Sequence, residues 1–259
     1  MTTLDAAFDS CGAFPIVEFR RYSVKPGERE HFAEYFETFF PEAFQQEGVV
    51  IFGSFLERGN PEKFTWLRGF HDNFHRGRAN SAFYYGPVWQ EHRARMNDRL
   101  DDSDNVLQLT SVASGLGLPV LPAVDPVRET GSSRGVVVAV AFPIRPGAVD
   151  QFLETSGPIF RGFRESGIRE LAVMKSLEVS NPFPQLPVRD DGPFVLWLGI
   201  AESARPFETD AGRAMVPAHL PPDGEGPLRG APELVLLDPT RRSRLRWRPE
   251  FGPAQEAGA

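Results

Sequence analysis

The strongest constraint on the fold is an internal repeat. Residues 22–27, Tyr-Ser-Val-Lys-Pro-Gly, are matched 120 positions later by residues 142–147, Phe-Pro-Ile-Arg-Pro-Gly. In both copies an extended run, Ile16 to Val24 or Val136 to Ile144, leads into a Pro-Gly turn and then into a segment with helical spacing. A strand, turn and helix that recur at this distance predict a chain made of two similar halves.

The segment after each turn has the apolar spacing of a helix that packs on a sheet. Apolar residues recur at three- and four-residue steps in the first copy, at Phe32, Tyr35, Phe36, Phe39, Phe40, Ala43 and Phe44. The same role falls in the second copy to Phe152, Ile159, Phe160 and Phe163. A glycine follows each segment, Gly48 and Gly167, and we expect each helix to end there.

The remaining elements are predicted in the same order in both halves. The first half continues with two strands, a helix and a strand, at residues 49–57, 63–70, 87–100 and 105–112. The second half continues with two strands, a shorter proline-interrupted helix and a strand, the strands at residues 170–179, 193–200 and 233–238. Each half is therefore predicted to be a ferredoxin-like βαββαβ unit.

The predicted domain boundaries follow from these elements. Residues 1–112 form the first half, residues 113–134 a linker rich in Gly, Pro and Ser, residues 135–248 the second half, and residues 249–259 a flexible tail. One ferredoxin-like half leaves a sheet face uncovered, and a second half can cover it by closing a barrel. We therefore predict an α+β fold in which two ferredoxin-like halves form one barrel within the chain.

Composition and charge exclude several classes of protein. Hydrophobic residues make up 41% of the chain and charged residues 24%, which is ordinary for a globular protein. The net charge of −7 argues against nucleic acid as a partner. A single cysteine, Cys11, fits a reducing compartment, and neither a signal peptide nor a membrane-spanning stretch is evident. We expect a cytoplasmic protein that binds neither nucleic acid nor a membrane.

From Ile16 to Leu109 the chain resembles a NIPSNAP domain, a branch of the dimeric α+β barrel superfamily. The resemblance rests on residues 17–22 (Val-Glu-Phe-Arg-Arg-Tyr), residues 83–93 (Phe-Tyr-Tyr-Gly-Pro-Val-Trp-Gln-Glu-His-Arg) and residues 102–107 (Asp-Ser-Asp-Asn-Val-Leu). The second half keeps only the strand, Pro-Gly turn and helix that open the first. The resemblance implies the barrel fold and a superfamily of cofactor-free monooxygenases, isomerases, dehydratases, haem-handling enzymes and ligand binders, among which the fold alone does not choose.

Charged residues occupy positions of the first half that are apolar in the second. Glu18 and Arg20 align with Val138 and Val140, and we align Arg68 with Leu198. A buried charge is costly unless it is paired or used. The sequence leaves two hypotheses that can hold together, an internal ion-pair network and a pocket in which an arginine binds a carboxylate or a developing oxyanion.

The titratable residues are concentrated in the first half, which contains all four tyrosines and all but one of the five histidines. His92 lies on the apolar side of its predicted helix, facing the sheet, and is either a hydrogen-bonded core residue or a general acid/base. We predict a catalytic set of His92, Tyr84 and Arg20. The predicted substrate-binding residues are Glu18, Tyr22, Trp66, Arg68, His71, Tyr85 and Trp89.

No metal site and no cofactor are predicted. His71 and His75 are four residues apart, but Asp72 between them is a candidate N-cap, which would place His71 outside the helix. Glycine-rich nucleotide motifs and a serine-hydrolase elbow are absent from the sequence. The first hypothesis is a cofactor-free isomerase, cyclase, dehydratase or monooxygenase acting on a small apolar or aromatic metabolite. The alternatives are a non-catalytic ligand-binding or assembly protein and a haem-binding protein, and a homodimer is a further expectation.

Overall fold

Both halves contain the elements of a ferredoxin-like unit. In the computed structural model, which describes residues 13–112, 117–125, 127–129, 133–208 and 226–251, the strands of the first half are β1 (Ile16–Val24), β2 (Val50–Glu57), β3 (Lys63–Phe70), β4 (Leu100–Asp102) and β5 (Val106–Ser111). Its helices are α1 (Arg29–Phe39), α2 (Pro41–Gln46), α3 (Asn73–Tyr85) and α4 (Pro87–Asn97).

The second half repeats this order with fewer helical residues. Its strands are β6 (Val136–Pro143), β7 (Arg169–Ser176), β8 (Phe194–Ala201) and β9 (Glu233–Pro239). Its helices are α5 (Val149–Thr155), α6 (Gly157–Glu165) and α7 (Arg205–Glu208). The predicted proline-interrupted helix begins with α7, and the rest of that segment lies outside the described residues.

The two halves close one antiparallel barrel, as predicted. The strand order is β2-β3-β1-β5 in the first half and β7-β8-β6-β9 in the second. In each half the second strand is therefore followed by the third, the first and the last. Two seams join them, where Leu56 of β2 pairs with Asp238 of β9 and Thr110 of β5 pairs with Lys175 of β7. With β1 also paired to β3, eight strands form a ring, and β4 is added beside the end of β1.

Three apolar cores follow from the alternation of side chains along the strands. Val17 and Phe19 point into the barrel interior, where they share one core with Leu196 and Leu198 of the second half. The opposite face of the first sheet packs under α1 to α4, in a core that includes Tyr22 and Trp66. The opposite face of the second sheet packs under α5 and α6 in the same way, and its core includes Val138, Val140 and Trp197.

Glycines and prolines divide the helical segments. Gly48 and Gly167 adopt φ values of +76° and +82°, which confirms that each helical segment ends at its glycine. The helix predicted from Phe32 to Phe44 is divided in two, because Pro41 cannot donate the hydrogen bond that a continuous helix needs and instead begins α2.

The elements that connect β3 to β5 differ from the prediction. Helix α3 was not predicted as an element, and the helix predicted over residues 87–100 ends at Asn97, with Leu100 already in the short strand β4. In α3 the buried residues are Arg76, Ala79, Asn80 and Phe83. Two of these four are polar, so the usual apolar periodicity of a packed helix is weak in this segment.

The linker and the tail pack against the barrel. Leu118 and Leu121 of the linker are buried in the barrel core, and Val124 of the linker is also buried. Pro249–Phe251, the first residues of the predicted tail, form a 3-10 helix, and Phe251 is buried against the same core. Residues 252–259 and Cys11 lie outside the described residues. Within the described ranges, every helix is too short or too polar to cross a membrane.

Candidate functional site

A cavity of about 410 Å³ lies between the first-half sheet and the four helices that cover it. Tyr22 of β1 and Trp66 of β3 form its floor, and phenylalanines of α1 and α2 form one side. Tyr84 and Tyr85 at the end of α3 and Trp89 of α4 form the other side. Five residues predicted from the sequence therefore line one cavity. It has the size and the aromatic walls of a small-molecule site.

Two residues that line the cavity have hydrogen-bonding capacity left over. The hydroxyl of Tyr22 accepts a hydrogen bond of 2.8 Å from Nε of Arg20, which leaves the phenolic proton of Tyr22 free to be donated elsewhere. Nε1 of Trp66 is buried and has no hydrogen-bond partner among the described residues. Burial raises the pKa of Tyr84 above its ordinary value, so this phenol stays a proton donor at neutral pH.

The second half contains a matched tryptophan whose donor is satisfied. Arg20 pairs with Trp66 across β1 and β3, and Val140 pairs with Trp197 across β6 and β8. Nε1 of Trp197 donates a 2.8 Å hydrogen bond to the carboxylate of Glu170. The equivalent of Glu170 in the first half is Ile51, since both residues immediately precede a bulge at the same place in their strands. The first half thus keeps the tryptophan and lacks its acceptor.

The strand pairing corrects one of our alignments. Glu18 pairs with Arg68, and the equivalent Val138 pairs with Gly199, so the counterpart of Arg68 is Gly199 and not Leu198. Leu198 points into the barrel. A Cβ atom on Gly199 would lie 2.4 Å from Cη2 of Trp197. The tryptophan ring of the second half therefore covers the place where the first half has an arginine side chain.

Glu18 is the centre of a buried ion cluster with three arginines. Its Oε2 accepts 2.7 Å hydrogen bonds from Nη1 of Arg20 and Nε of Arg68, and its Oε1 accepts one of 2.5 Å from Nε of Arg76. These four side chains are at most 1% exposed. The structure confirms the hypothesis of an ion network and adds Arg76, which the sequence analysis missed.

The cluster carries excess positive charge. One carboxylate faces three guanidinium groups, which gives a net charge of +2 inside the protein. Burial by itself would raise the pKa of Glu18, but Arg68, Arg20 and Arg76 together outweigh burial and hold this pKa far below its usual value. Burial lowers the pKa of Arg76, although the attraction of Glu18 opposes that shift. Arg20 connects this excess charge to the cavity, because it donates a hydrogen bond to the hydroxyl of Tyr22.

His92 packs against α1 and is not part of the cavity lining. Its Nδ1 is 2.7 Å from the hydroxyl of Tyr35, and its ring stacks on Phe39 with the ring centres 3.9 Å apart. The prediction that His92 faces the sheet is therefore wrong, and the structure does not bring it together with Tyr84 and Arg20. Of the two alternatives from sequence, these contacts favour a hydrogen-bonded packing residue.

The other first-half histidines also lie away from the cavity. His71 is exposed, with Nδ1 2.7 Å from the carbonyl oxygen of Ala13. Asp72 caps α3 by accepting a 2.6 Å hydrogen bond from the backbone N–H of His75, which confirms the N-cap and leaves His71 outside the helix. Across the described part of the chain, no group of three or more His, Cys, Asp or Glu residues could hold a metal ion.

The second half supplies part of the cavity wall. Phe183, Gln185 and Leu186, from the loop between β7 and β8, line the cavity beside residues of the first half. Nε2 of Gln185 donates a 3.1 Å hydrogen bond to the hydroxyl of Tyr85. The sequence analysis missed these residues, and the length of their loop was the only signal that could have drawn attention to them.

Comparison with solved structures supports the fold across both halves. No protein-family model and no curated protein matches the sequence. An anthrone oxidase-like protein superposes with a TM-score of 0.52 at 16% identity, over 88% of this chain and 93% of its own. A protein from Lactobacillus acidophilus NCFM, named as a candidate monooxygenase, superposes with a TM-score of 0.50 at 11% identity, over 88% of this chain and 97% of its own.

The structural neighbours also include NIPSNAP proteins, as the resemblance of residues 16–109 implied. A NIPSNAP-like domain protein from Burkholderia xenovorans is 25% identical over 41% of this chain and 94% of its own, with a TM-score of 0.35. It matches a stretch about as long as one half of the barrel. The two longer matches therefore carry the comparison, and at their identities they establish the fold alone.

Proposed function

We propose that the first half binds a small aromatic molecule with a phenol or an enolisable ketone, and that it promotes reaction through the oxyanion of that molecule. Aromatic rings form most of the cavity wall, and they favour a flat apolar ligand. Isomerisation, cyclisation, dehydration and oxygenation of such a ligand can all begin with the same anion. Forming it requires electrostatic stabilisation rather than an organic cofactor.

One observation carries this proposal. Nε1 of Trp66 has no hydrogen-bond partner among the described residues, whereas Nε1 of its second-half counterpart, Trp197, donates to Glu170. A buried N–H without an acceptor costs about 1–3 kcal/mol. A ligand oxygen that accepts from Trp66 would offset that cost, as Glu170 does for Trp197 in the second half. Tyr22 and Tyr84 also line the cavity, and their hydroxyls are further donors.

The buried ion cluster supports an anionic form of the ligand. Its net charge of +2 acts across a region of low dielectric constant, where charge interactions are stronger than in water. Arg20 connects the cluster to the cavity because it hydrogen-bonds both Glu18 and Tyr22. A phenol or enol bound against Tyr22 should therefore have a lower pKa than it has in solution.

Among the reactions open to such an anion, we favour oxidation by dioxygen. The ligand loses a proton to solvent, the ionised carbon forms a bond to O2, and the peroxide anion takes up a proton. Elimination of water then leaves a carbonyl group, so that a CH2 group and O2 give C=O and H2O. The names of the two longer structural neighbours, anthrone oxidase-like protein and candidate monooxygenase, support an oxidative reaction and, in the first case, an aromatic ketone as substrate. Tyr84 lines the cavity and can give the proton that the peroxide anion takes up, since its phenol is protonated at neutral pH. Arg20 acts through Tyr22 and positions its hydroxyl.

A second candidate function is ligand binding without turnover. It is favoured by the position of His92 against Tyr35 and Phe39, since the described residues that line the cavity then include no histidine to remove a proton from the ligand. The same observation leaves haem without a histidine ligand in this cavity. Oxygen consumption with anthrone as the test substrate distinguishes turnover from binding.

The proposal is tested by replacing each tryptophan in turn. Isothermal titration with 1-naphthol should show binding to the wild-type protein and about tenfold weaker binding to Trp66→Phe, because one hydrogen bond of roughly 1.4 kcal/mol is lost. The matched variant Trp197→Phe should bind 1-naphthol as the wild type does. Equal affinities in the two variants, or no binding to the wild type, would contradict the proposal.

A further inference from the structure

The cavity of the first half is completed by a loop of the second half. This loop comprises residues 177–193 between β7 and β8, whereas the equivalent connection in the first half comprises only residues 58–62. We call residues 177–193 the crossing loop. Its Phe183 is only 4% exposed and lines the cavity. The ring of Phe183 lies nearly parallel to that of Tyr84, with centres 5.9 Å apart.

Asn181 gives the crossing loop its shape. Its side-chain oxygen accepts a 3.0 Å hydrogen bond from the backbone N–H of Phe183, and its side-chain nitrogen donates one of 2.8 Å to the carbonyl of Leu186. Both hydrogen bonds are local, and they stabilise the turn from which the side chain of Phe183 reaches the cavity. The orientation of Phe183 therefore depends on a residue that does not itself line the cavity.

The buried ion cluster holds the crossing loop in place. Nη1 of Arg76 donates a 2.8 Å hydrogen bond to the same side-chain oxygen of Asn181, while Nε of Arg76 is bound to Glu18. Asn73 adds a 3.2 Å hydrogen bond to the carbonyl of Ser180. Arg76 thus connects the crossing loop to Glu18, which also accepts a hydrogen bond from Arg20, the partner of Tyr22.

We infer that the crossing loop determines which ligands the first half accepts, with Phe183 as the specificity-determining residue and Asn181 as the residue that positions it. This inference rests on the proposed aromatic site and adds the limit on ligand size. Phe183 closes the cavity against Tyr84, so it sets the length of the ring system that fits. The side chain of Phe183 therefore favours ligands with two fused rings over ligands with four.

The first experiment compares a two-ring probe, 1-naphthol, with a four-ring probe, 1-hydroxypyrene. In Phe183→Ala the affinity for 1-hydroxypyrene should rise and that for 1-naphthol should fall, so that their ratio changes by about tenfold or more. Phe74→Ala is the matched control, because Phe74 lies on α3, is 76% exposed and does not line the cavity. General loosening of the fold would lower the affinity for both probes together. An unchanged ratio of the two affinities in Phe183→Ala would overturn the inference.

The second experiment needs no ligand. Hydrogen–deuterium exchange should rise in the crossing loop and at the end of α3 in Asn181→Ala, while the strands of the second half keep their protection. Unchanged exchange would show that Asn181 does not position the crossing loop. If the wild type binds neither probe although Asn181→Ala shows faster exchange, the aromatic site fails and the attachment of the loop stands.

Discussion

The two halves of the barrel share a framework and differ in what lies between sheet and helices. Both have the same strand order, a bulge at the same position in β2 and β7, and a buried tryptophan in the third strand. In the second half, Val138, Val140 and the ring of Trp197 form an apolar core. In the first half the same layer contains four charged side chains and a cavity.

This difference shows how a duplicated scaffold can divide stability from function. Buried charges add little stability, because desolvation offsets most of their attraction. Among its described residues, the helix-facing core of the second half contains no buried charge and so carries no such cost, while its sheet completes the barrel. Positions that break the apolar pattern in one copy while keeping it in the other are therefore the best indication of a site.

The largest effect on stability is expected at the centre of the ion cluster. Glu18→Ala would leave three buried guanidinium groups without a carboxylate and should lower the free energy of unfolding by about 3–5 kcal/mol. Urea unfolding measures this loss. The comparison variant is Glu170→Ala in the second half, where the side chains of the ion pair Arg164 and Glu170 are 47% and 30% exposed, and it should cost about 1–2 kcal/mol. Similar losses in both variants would remove the distinction between the halves.

Replacing the whole cluster should separate stability from ligand binding. A variant with Glu18→Leu and with Arg20, Arg68 and Arg76 each changed to Met makes this layer apolar, as it is in the second half. Its free energy of unfolding should lie within about 1–2 kcal/mol of the wild type, because apolar replacement of a buried ion network is often neutral. Binding of 1-naphthol should be lost. Leaving Arg76 in place should destabilise the variant, since Arg76 would then be buried without Glu18.

The smallest effect is expected at His92. Loss of the hydrogen bond between His92 and Tyr35 should cost about 0.5–1.5 kcal/mol in His92→Ala. The affinity for 1-naphthol should stay within about twofold of the wild-type value, because the imidazole does not line the cavity. A large loss of ligand affinity or of oxygen consumption at unchanged stability would restore His92 to the site.

The fold could be predicted because its evidence is local and repeated. Each Pro-Gly turn, each helix and each strand is visible in a short window, and the duplication fixes their order. The residue-by-residue alignment of β3 with its second-half counterpart β8 could not be predicted so simply. Matching Phe64 with Phe194 placed the strands one residue out of step, and a shift of one residue exchanges the two faces of a sheet.

The ion cluster was predicted only where its residues lie on the strands. Glu18 and Arg20 share one strand face, and their pairing follows from a spacing of two residues. Arg76 lies on a helix with little apolar periodicity, although the buried positions Arg76, Ala79, Asn80 and Phe83 do have helical spacing. The contribution of Phe183 depends on a contact between the halves, which no local pattern contains.

The ionisation of a bound phenol tests the central claim most directly. The absorbance of 4-nitrophenol reports its ionisation, and its pKa can be titrated both free and bound to the protein. The account predicts a lower pKa for the bound phenol, with a smaller decrease in Arg68→Met, where Arg20 and Arg76 still pair with Glu18 and the cluster has one positive charge fewer. Trp197→Phe should leave the decrease unchanged. A bound 4-nitrophenol with an equal or higher pKa than in solution would contradict the account.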